Sequence, residues 1–193
     1  MGGNLTPDEI KECTSHEKHK NIKHFVETGT YHADTTLEAA KCFENVYTVE
    51  IVENLFRKCV ERAGGSAPSD MLLTNTVIQV GNISFTYGDS LDMLREVSPQ
   101  VKDGAVFFID AHQSGPDTGN NGKWVPLVEE LDIILAAGVG PSVFIFDDVR
   151  LWKKKCWDWA HVTNTGILGQ FEKAGYKVLK SYEKNDRFYV LTE

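Results

Sequence analysis

The chain has 193 residues, of which 41% are hydrophobic and 25% charged. That suits one soluble domain with a core of its own. The net charge of −8 argues against a nucleic-acid backbone as partner, because phosphate binding needs clustered Lys and Arg. The one dense basic run, Lys153-Lys154-Lys155, reads as a solvated loop. No apolar run reaches the ~18 residues of a membrane helix, and the N-terminus lacks the basic-then-apolar layout of a signal peptide. The four cysteines, Cys13, Cys42, Cys59 and Cys156, are scattered and form no CxxC pair. A zinc knuckle is therefore not expected, and a reduced, cytoplasmic location is. Cys42 and Cys59 fall in helical patterns and read as small core residues.

In chain order, Thr6-Pro7-Asp8-Glu9 predicts a helix start, with Thr6 as N-cap, Pro7 at the first position and Glu9 completing a capping box. This helix is expected to run to about Lys20 and, being polar, to cover the surface as an N-terminal extension over residues 1–22. From residue 23 strands and helices alternate. Strands are expected at about 23–28, 46–51, 77–87, 104–110, 142–147, 175–182 and 186–192, and helices at about 33–43, 53–63, 89–98, 123–137 and 163–174. The long run before Asp89 has a bulge or turn placed at Val80-Gly81-Asn82-Ile83, and Gly64 to Asp70 reads as a surface loop. Strands separated by helices imply βαβ units in a mostly parallel sheet with helices on both faces. Ala105-Val106-Phe107-Phe108-Ile109 is apolar throughout, as in a central strand covered on both sides. The last two strands are joined only by Glu183 to Asp186, too short for a crossover, so they form an antiparallel hairpin. The expected fold is α/β and Rossmann-like, with seven strands closing on that hairpin, over residues 23–193.

The chemistry gathers at strand ends. Phe25-Val26-Glu27-Thr28-Gly29-Thr30-Tyr31-His32-Ala33-Asp34-Thr35-Thr36-Leu37 reads as a buried strand, a glycine turn and the first turn of a helix. The next strand ends in Glu50, placed as a carboxylate for a ribose would be. Two further strands end in acid, Phe107-Phe108-Ile109-Asp110-Ala111-His112 and Phe144-Ile145-Phe146-Asp147-Asp148. Three carboxylates at adjacent strand ends repel one another and raise each other's pKa unless a cation sits among them. Hard oxygen donors suit Mg²⁺, Mn²⁺ or Ca²⁺.

The glycine loop resembles the Glu-x-Gly loop of class I S-adenosylmethionine-dependent methyltransferases, and residues 23–193 follow that fold's order of elements, closing antiparallel strand included. By this resemblance Gly29 lets the backbone approach the methionine end of the cofactor, and Glu27, Thr28, Thr30, Tyr31, Thr35, Ile51, Ser90 and Asp110 line the same site. Glu50 accepts both ribose hydroxyls, and Asp89 lies by the adenine amino group. The family's second glycine, four residues after the first, is Ala33 here. The acids resemble those of metal-dependent O-methyltransferases that act on sugar and macrolide hydroxyls. That likeness implies Asp110, Asp147 and Asp148 as ligands of Mg²⁺ or Mn²⁺, with His112 as general base and Asp110 beside it. His16, His19, His24, His32 and His161 read as structural or exposed, with His32 set apart by its place in the cofactor loop.

The polar loop from Gln113 to Gly122 reads as a substrate lid. Trp152, Trp157 and Trp159 offer aromatic faces for a pyranose, although core packing for at least two of them is the plainer reading. The expected activity is methyl transfer from S-adenosylmethionine to a hydroxyl of a sugar or glycan, a small-molecule partner. Neither nucleic acid nor membrane is expected, and a homo-oligomer is left open. The alternatives are a metal-dependent catechol or phenol methyltransferase and a cofactor-binding module without activity.

Overall fold

The computed structural model describes residues 4–68, 76–113, 115, 117–154 and 157–193, without the side chains of Lys153 and Trp157. Its centre is one eight-stranded sheet in the order β3-β4-β2-β1-β5-β6-β8-β7. The strands are β1 (His24–Thr28), β2 (Asn45–Glu50), β3 (Thr76–Val80), β4 (Ile83–Tyr87), β5 (Val106–Ile109), β6 (Val143–Phe146), β7 (Val178–Lys184) and β8 (Arg187–Thr192). β4, β2, β1, β5 and β6 run parallel. β8 enters antiparallel between β6 and β7, which is the closing hairpin expected from the sequence.

The eighth strand comes from the run expected as a single strand at 77–87. It doubles back at Gly81 (φ +59°), so β3 pairs antiparallel with β4. The Asn82 amide pins the turn by donating to the carbonyls of Ala40 (2.9 Å) and Phe43 (2.8 Å).

Alternation along the central strands fills both faces of the sheet. Phe107, Ile109, Phe144, Phe146, Phe188 and Val190 face one core with Leu131, Ile134 and Phe171, which come from α5 (Leu127–Ala136) and α7 (Asn164–Lys173). Val106, Phe108, Val143, Ile145, Tyr189 and Leu191 face the other. There the cover is Phe56, Cys59 and Val60 of α3 (Glu53–Arg62), with Leu5, Ile10 and Cys13 of the N-terminal segment. α2 (Asp34–Ala39), α4 (Ser90–Val97) and α6 (Val149–Lys154) complete the helices.

The N-terminal helix differs from its expectation. α1 spans only Pro7–Cys13, starting in the expected capping box, and it is not a polar surface cover. Ile10 and Cys13, three residues apart and so on one face, are buried beside Leu5. His19 is buried as well, its Nε2 lying 2.8 Å from the Thr192 carbonyl. Cys59 is buried as expected, but Cys42 is exposed, because α2 has ended and the chain is turning towards β2. Cys156 lies outside the described residues. Trp152 and Trp159 are core residues, in line with the plainer reading of that aromatic run.

Candidate active site

Strand order reverses at β1, where the sheet runs through β2 and β4 on one side and through β5 and β6 on the other. Ligands of open α/β sheets bind at the carboxyl ends of strands at such a point. A cleft of about 710 Å³ opens there, in the range of small-molecule sites.

The loop after β1 forms one wall. Gly29 has φ +86°, and a Cβ there would stand 2.9 Å from the Asp110 carbonyl oxygen, so only glycine lets the loop close on the end of β5. Ala33, at the position of the family's second glycine, also has a left-handed backbone (φ +62°) as N-cap of α2. Its methyl group is fully buried.

Glu50 ends β2 in the same cleft. One carboxylate oxygen accepts from the Tyr31 N–H (2.9 Å) and the other from the Val52 N–H (2.8 Å). The group is thereby fixed before any ligand arrives. Burial raises its pKa and these backbone bonds oppose the rise. Asp89 caps α4, accepting from the Leu91 N–H at 2.8 Å, and lines the cleft with Tyr31, Ile51 and Ser90.

The remaining residues of the loop do not line the cleft; they brace it from below. Glu27 is buried and accepts from the hydroxyls of Thr36 (2.5 Å) and Thr48 (2.7 Å). Burial raises its pKa to about 8. The Thr30 hydroxyl meets that of Thr48 at 2.6 Å. Thr35 accepts from the Leu5 N–H. Thr28 Oγ1 accepts from the N–H groups of Asp110 (3.2 Å) and Ala111 (3.3 Å) and donates to Glu130 Oε2 (3.4 Å).

Across the cleft, β5 and β6 deliver the acids. Asp110, His112 and Asp148 each offer a ligand atom within 4.8 Å of the others. His112 bridges the two carboxylates, with Nδ1 3.4 Å from Asp110 Oδ1 and Nε2 2.8 Å from Asp148 Oδ2. Burial alone would lower the imidazole pKa, but the flanking carboxylates raise it to about 10. Asp148 has φ +59° and also pairs with Arg150. Burial pushes its carboxyl up, and the two cationic neighbours overcome that and lower it. Asp147 lines the cleft beside this trio. Its Oδ1 lies 3.4 Å from Arg187 Nε, and burial, with Asp110 adding, lifts its carboxyl to about 7.

Two carboxylates and an imidazole on one patch fit a divalent cation in donor type and charge. The polar loop after β5 contributes Gln113, Thr118, Gly119, Asn120 and Asn121 to the lining of the cleft, while Ser114 and Pro116 lie outside the described residues. His32 packs on Tyr31, ring centres 3.9 Å apart, at the edge of a smaller pocket.

Three participants escaped the sequence reading. Glu130 of α5, fully buried with its pKa raised by burial to about 8, sits in a helix whose neighbouring acids give no hint of it. Arg187 begins an apolar strand. Arg150 follows the acid pair, where it reads as an ordinary helix-surface cation.

Sheet order, the glycine loop and acids at the ends of β2, β5 and β6 define the class I S-adenosylmethionine-dependent methyltransferase fold. Solved structures agree. A Staphylococcus aureus protein assigned as a caffeoyl-CoA O-methyltransferase superposes with a TM-score of 0.61 at 15% identity, over 100% of this chain and 85% of that one. An O-methyltransferase from Bacillus cereus, solved in complex with SAH, gives 0.59 at 16% identity, over 98% and 82%. The ribosomal protein L11 methylase of Lactobacillus delbrueckii subsp. bulgaricus gives 0.52 at 14% identity, over 99% and 79%. No protein-family model matches the sequence, and no curated protein matches it.

Proposed function

We propose that this protein is an S-adenosylmethionine-dependent O-methyltransferase that uses a divalent cation, Mg²⁺ or Mn²⁺, and acts on a hydroxyl of a sugar or glycan. The observation that carries the reading is the joining of two devices in one cleft. A carboxylate fixed by two backbone N–H groups, Glu50, faces a cluster made of Asp110, His112 and Asp148.

In this reading Glu50 accepts the ribose hydroxyls, Asp89 meets the adenine and Gly29 admits the methionine end. Asp110 and Asp148, with Asp147 beside them, would hold the cation, which would supply Lewis-acid stabilisation of negative charge on the acceptor oxygen. The methyl group moves from sulfonium sulfur to hydroxyl oxygen, and the hydroxyl proton goes to the imidazole of His112. His112 can take that proton only when neutral, and the carboxylates of Asp110 and Asp148 that flank it favour its charged form. The lid and the cleft walls hold the acceptor oxygen in line with the methyl group, which supplies much of the rate.

The rim of Gln113, Thr118, Asn120 and Asn121 supports a polyhydroxylated acceptor, because its amide and hydroxyl groups can exchange hydrogen bonds with hydroxyls. The likeness to the caffeoyl-CoA-type protein favours a second reading, a phenolic acceptor.

Methyl transfer to a panel of hexose and deoxyhexose glycosides and catechols, with and without chelator, separates these readings. Glycoside turnover that stops with chelator is expected. Faster turnover of catechol than of any glycoside would select the second reading, and transfer undiminished by chelator would remove the cation.

A further inference from the structure

Both oxygens of Asp148 are already engaged. Oδ2 meets His112 Nε2 at 2.8 Å, and Oδ1 meets the Arg150 guanidinium. Arg150 has a second carboxylate in reach, since the same nitrogen, Nη1, contacts Asp186 Oδ2.

Asp186 is itself held in place. It lies in the two-residue turn between β7 and β8, where Asn185 and Asp186 have φ of +50° and +65°, the backbone that such hairpins require. Its carbonyl accepts from the Val149 N–H (2.9 Å) and its Oδ1 from the Arg150 N–H (2.7 Å). The neighbours in the turn are anchored to the N-terminal helix, with Asn185 Nδ2 2.9 Å and Arg187 Nη1 2.8 Å from Glu9 Oε1. Arg150 is thus shared between a fixed structural carboxylate and a carboxylate of the candidate site.

We propose that Arg150 is the built-in competitor of the cation at Asp148, and that Asp186 is the resting place that lets it yield. This rests on the cation reading of the Asp110, His112 and Asp148 cluster. A guanidinium on Asp148 neutralises the cluster while it waits and repels a second positive charge there, whichever oxygen the cation takes. A fixed acceptor at Asp186 lowers the cost of giving up Asp148, because Arg150 exchanges two partners for one and is never left unpaired. Arg150 and Asp186 would therefore set how tightly the site holds its cation without ligating it.

The test is Mn²⁺ binding to the full-length protein by calorimetry, with binding of S-adenosylhomocysteine measured beside it. Both side chains are partly exposed, 36% for Arg150 and 25% for Asp186, so the variants are expected to fold. Arg150→Gln should tighten Mn²⁺ binding at least about tenfold and leave S-adenosylhomocysteine affinity unchanged. Asp186→Asn, which keeps the turn conformation and the Oδ1 acceptor, should weaken Mn²⁺ binding when Arg150 is present and have a smaller effect in the Arg150→Gln background. Unchanged or weaker Mn²⁺ binding by Arg150→Gln overturns the competitor role, and so does an Asp186→Asn effect of equal size in both backgrounds. If neither the wild type nor Arg150→Gln binds Mn²⁺, the cation reading itself falls and takes this inference with it.

Discussion

Two residues near the cofactor loop carry opposite kinds of constraint. Gly29 is required by space, since a Cβ would meet the Asp110 carbonyl oxygen at 2.9 Å in a backbone at φ +86°. Gly29→Ala should therefore lose about 2 kcal/mol or more of stability, read from urea denaturation, because strain and overlap add. Glu50 is required by charge and orientation. Glu50→Ala removes a prearranged acceptor of charge-assisted hydrogen bonds and should cost about 2–4 kcal/mol of S-adenosylhomocysteine affinity in calorimetry. Unchanged affinity would contradict the assignment of the cleft to that cofactor.

Glu27 adds a pH signature. Burial raises its pKa from the ordinary 4.5 to about 8, so the folded state holds a proton that the unfolded chain has already released. Its contribution is fully present below the unfolded value and is lost as pH rises through about 8. The thermal midpoint of the wild type should thus fall between pH 5 and pH 9 more steeply than that of Glu27→Gln. Parallel profiles would show that Glu27 is ionised in the fold.

At the scale of elements, the N-terminal helix is the surprise. Its capping box is legible in Thr6-Pro7-Asp8-Glu9, and the structure confirms it, with the Glu9 carboxylate accepting from the Thr6 N–H at 2.9 Å. What the local pattern hides is that the other oxygen of Glu9 takes the Arg187 guanidinium, in a pair whose side chains are only 9% and 2% exposed. Removing Glu9 takes one carboxylate from a buried guanidinium, which keeps Asp147 at 3.4 Å, and also removes the acceptor of the capping box. Glu9→Ala should accordingly cost about 2–4 kcal/mol in urea denaturation, from the lost charged hydrogen bond and the lost cap, more than a surface helix residue would. A loss within the ~0.5 kcal/mol expected of a surface site would mean that the pair contributes nothing.

For the molecule as a whole, the candidate site stands on a sheet that does not depend on it. The acids lie beyond the ends of β5 and β6, while the apolar layers on both faces run through the strands themselves. Chelation should stop methyl transfer while the far-ultraviolet circular dichroism stays unchanged and the unfolding midpoint shifts only by the small amount that ligand loss removes. Cooperative unfolding on chelation would instead make the cation structural.

The sequence alone determined the α/β alternation, the closing hairpin and the acids at strand ends. These follow from short-range physics: apolar runs of strand length, helix signals between them, and four residues too few for a crossover. It also marked Glu50 and the Asp110-to-His112 spacing, because chemistry at a strand end needs particular residue types at fixed positions. Only the tertiary structure decided which carboxylates work together. Glu27 proved to brace the loop from beneath and Glu130 to reach the back of β1, because the direction of a side chain depends on what packs against it and not on its neighbours in the chain. The bulge or turn expected at Val80-Gly81-Asn82-Ile83 proved to be a full reversal into two strands, since periodicity alone does not tell a bulge from a hairpin at a sheet edge. Arg187 and Glu9 came together across 178 positions of the chain and Arg150 and Asp186 across 36, joined by the need of charges for partners, which leaves no trace in any local pattern.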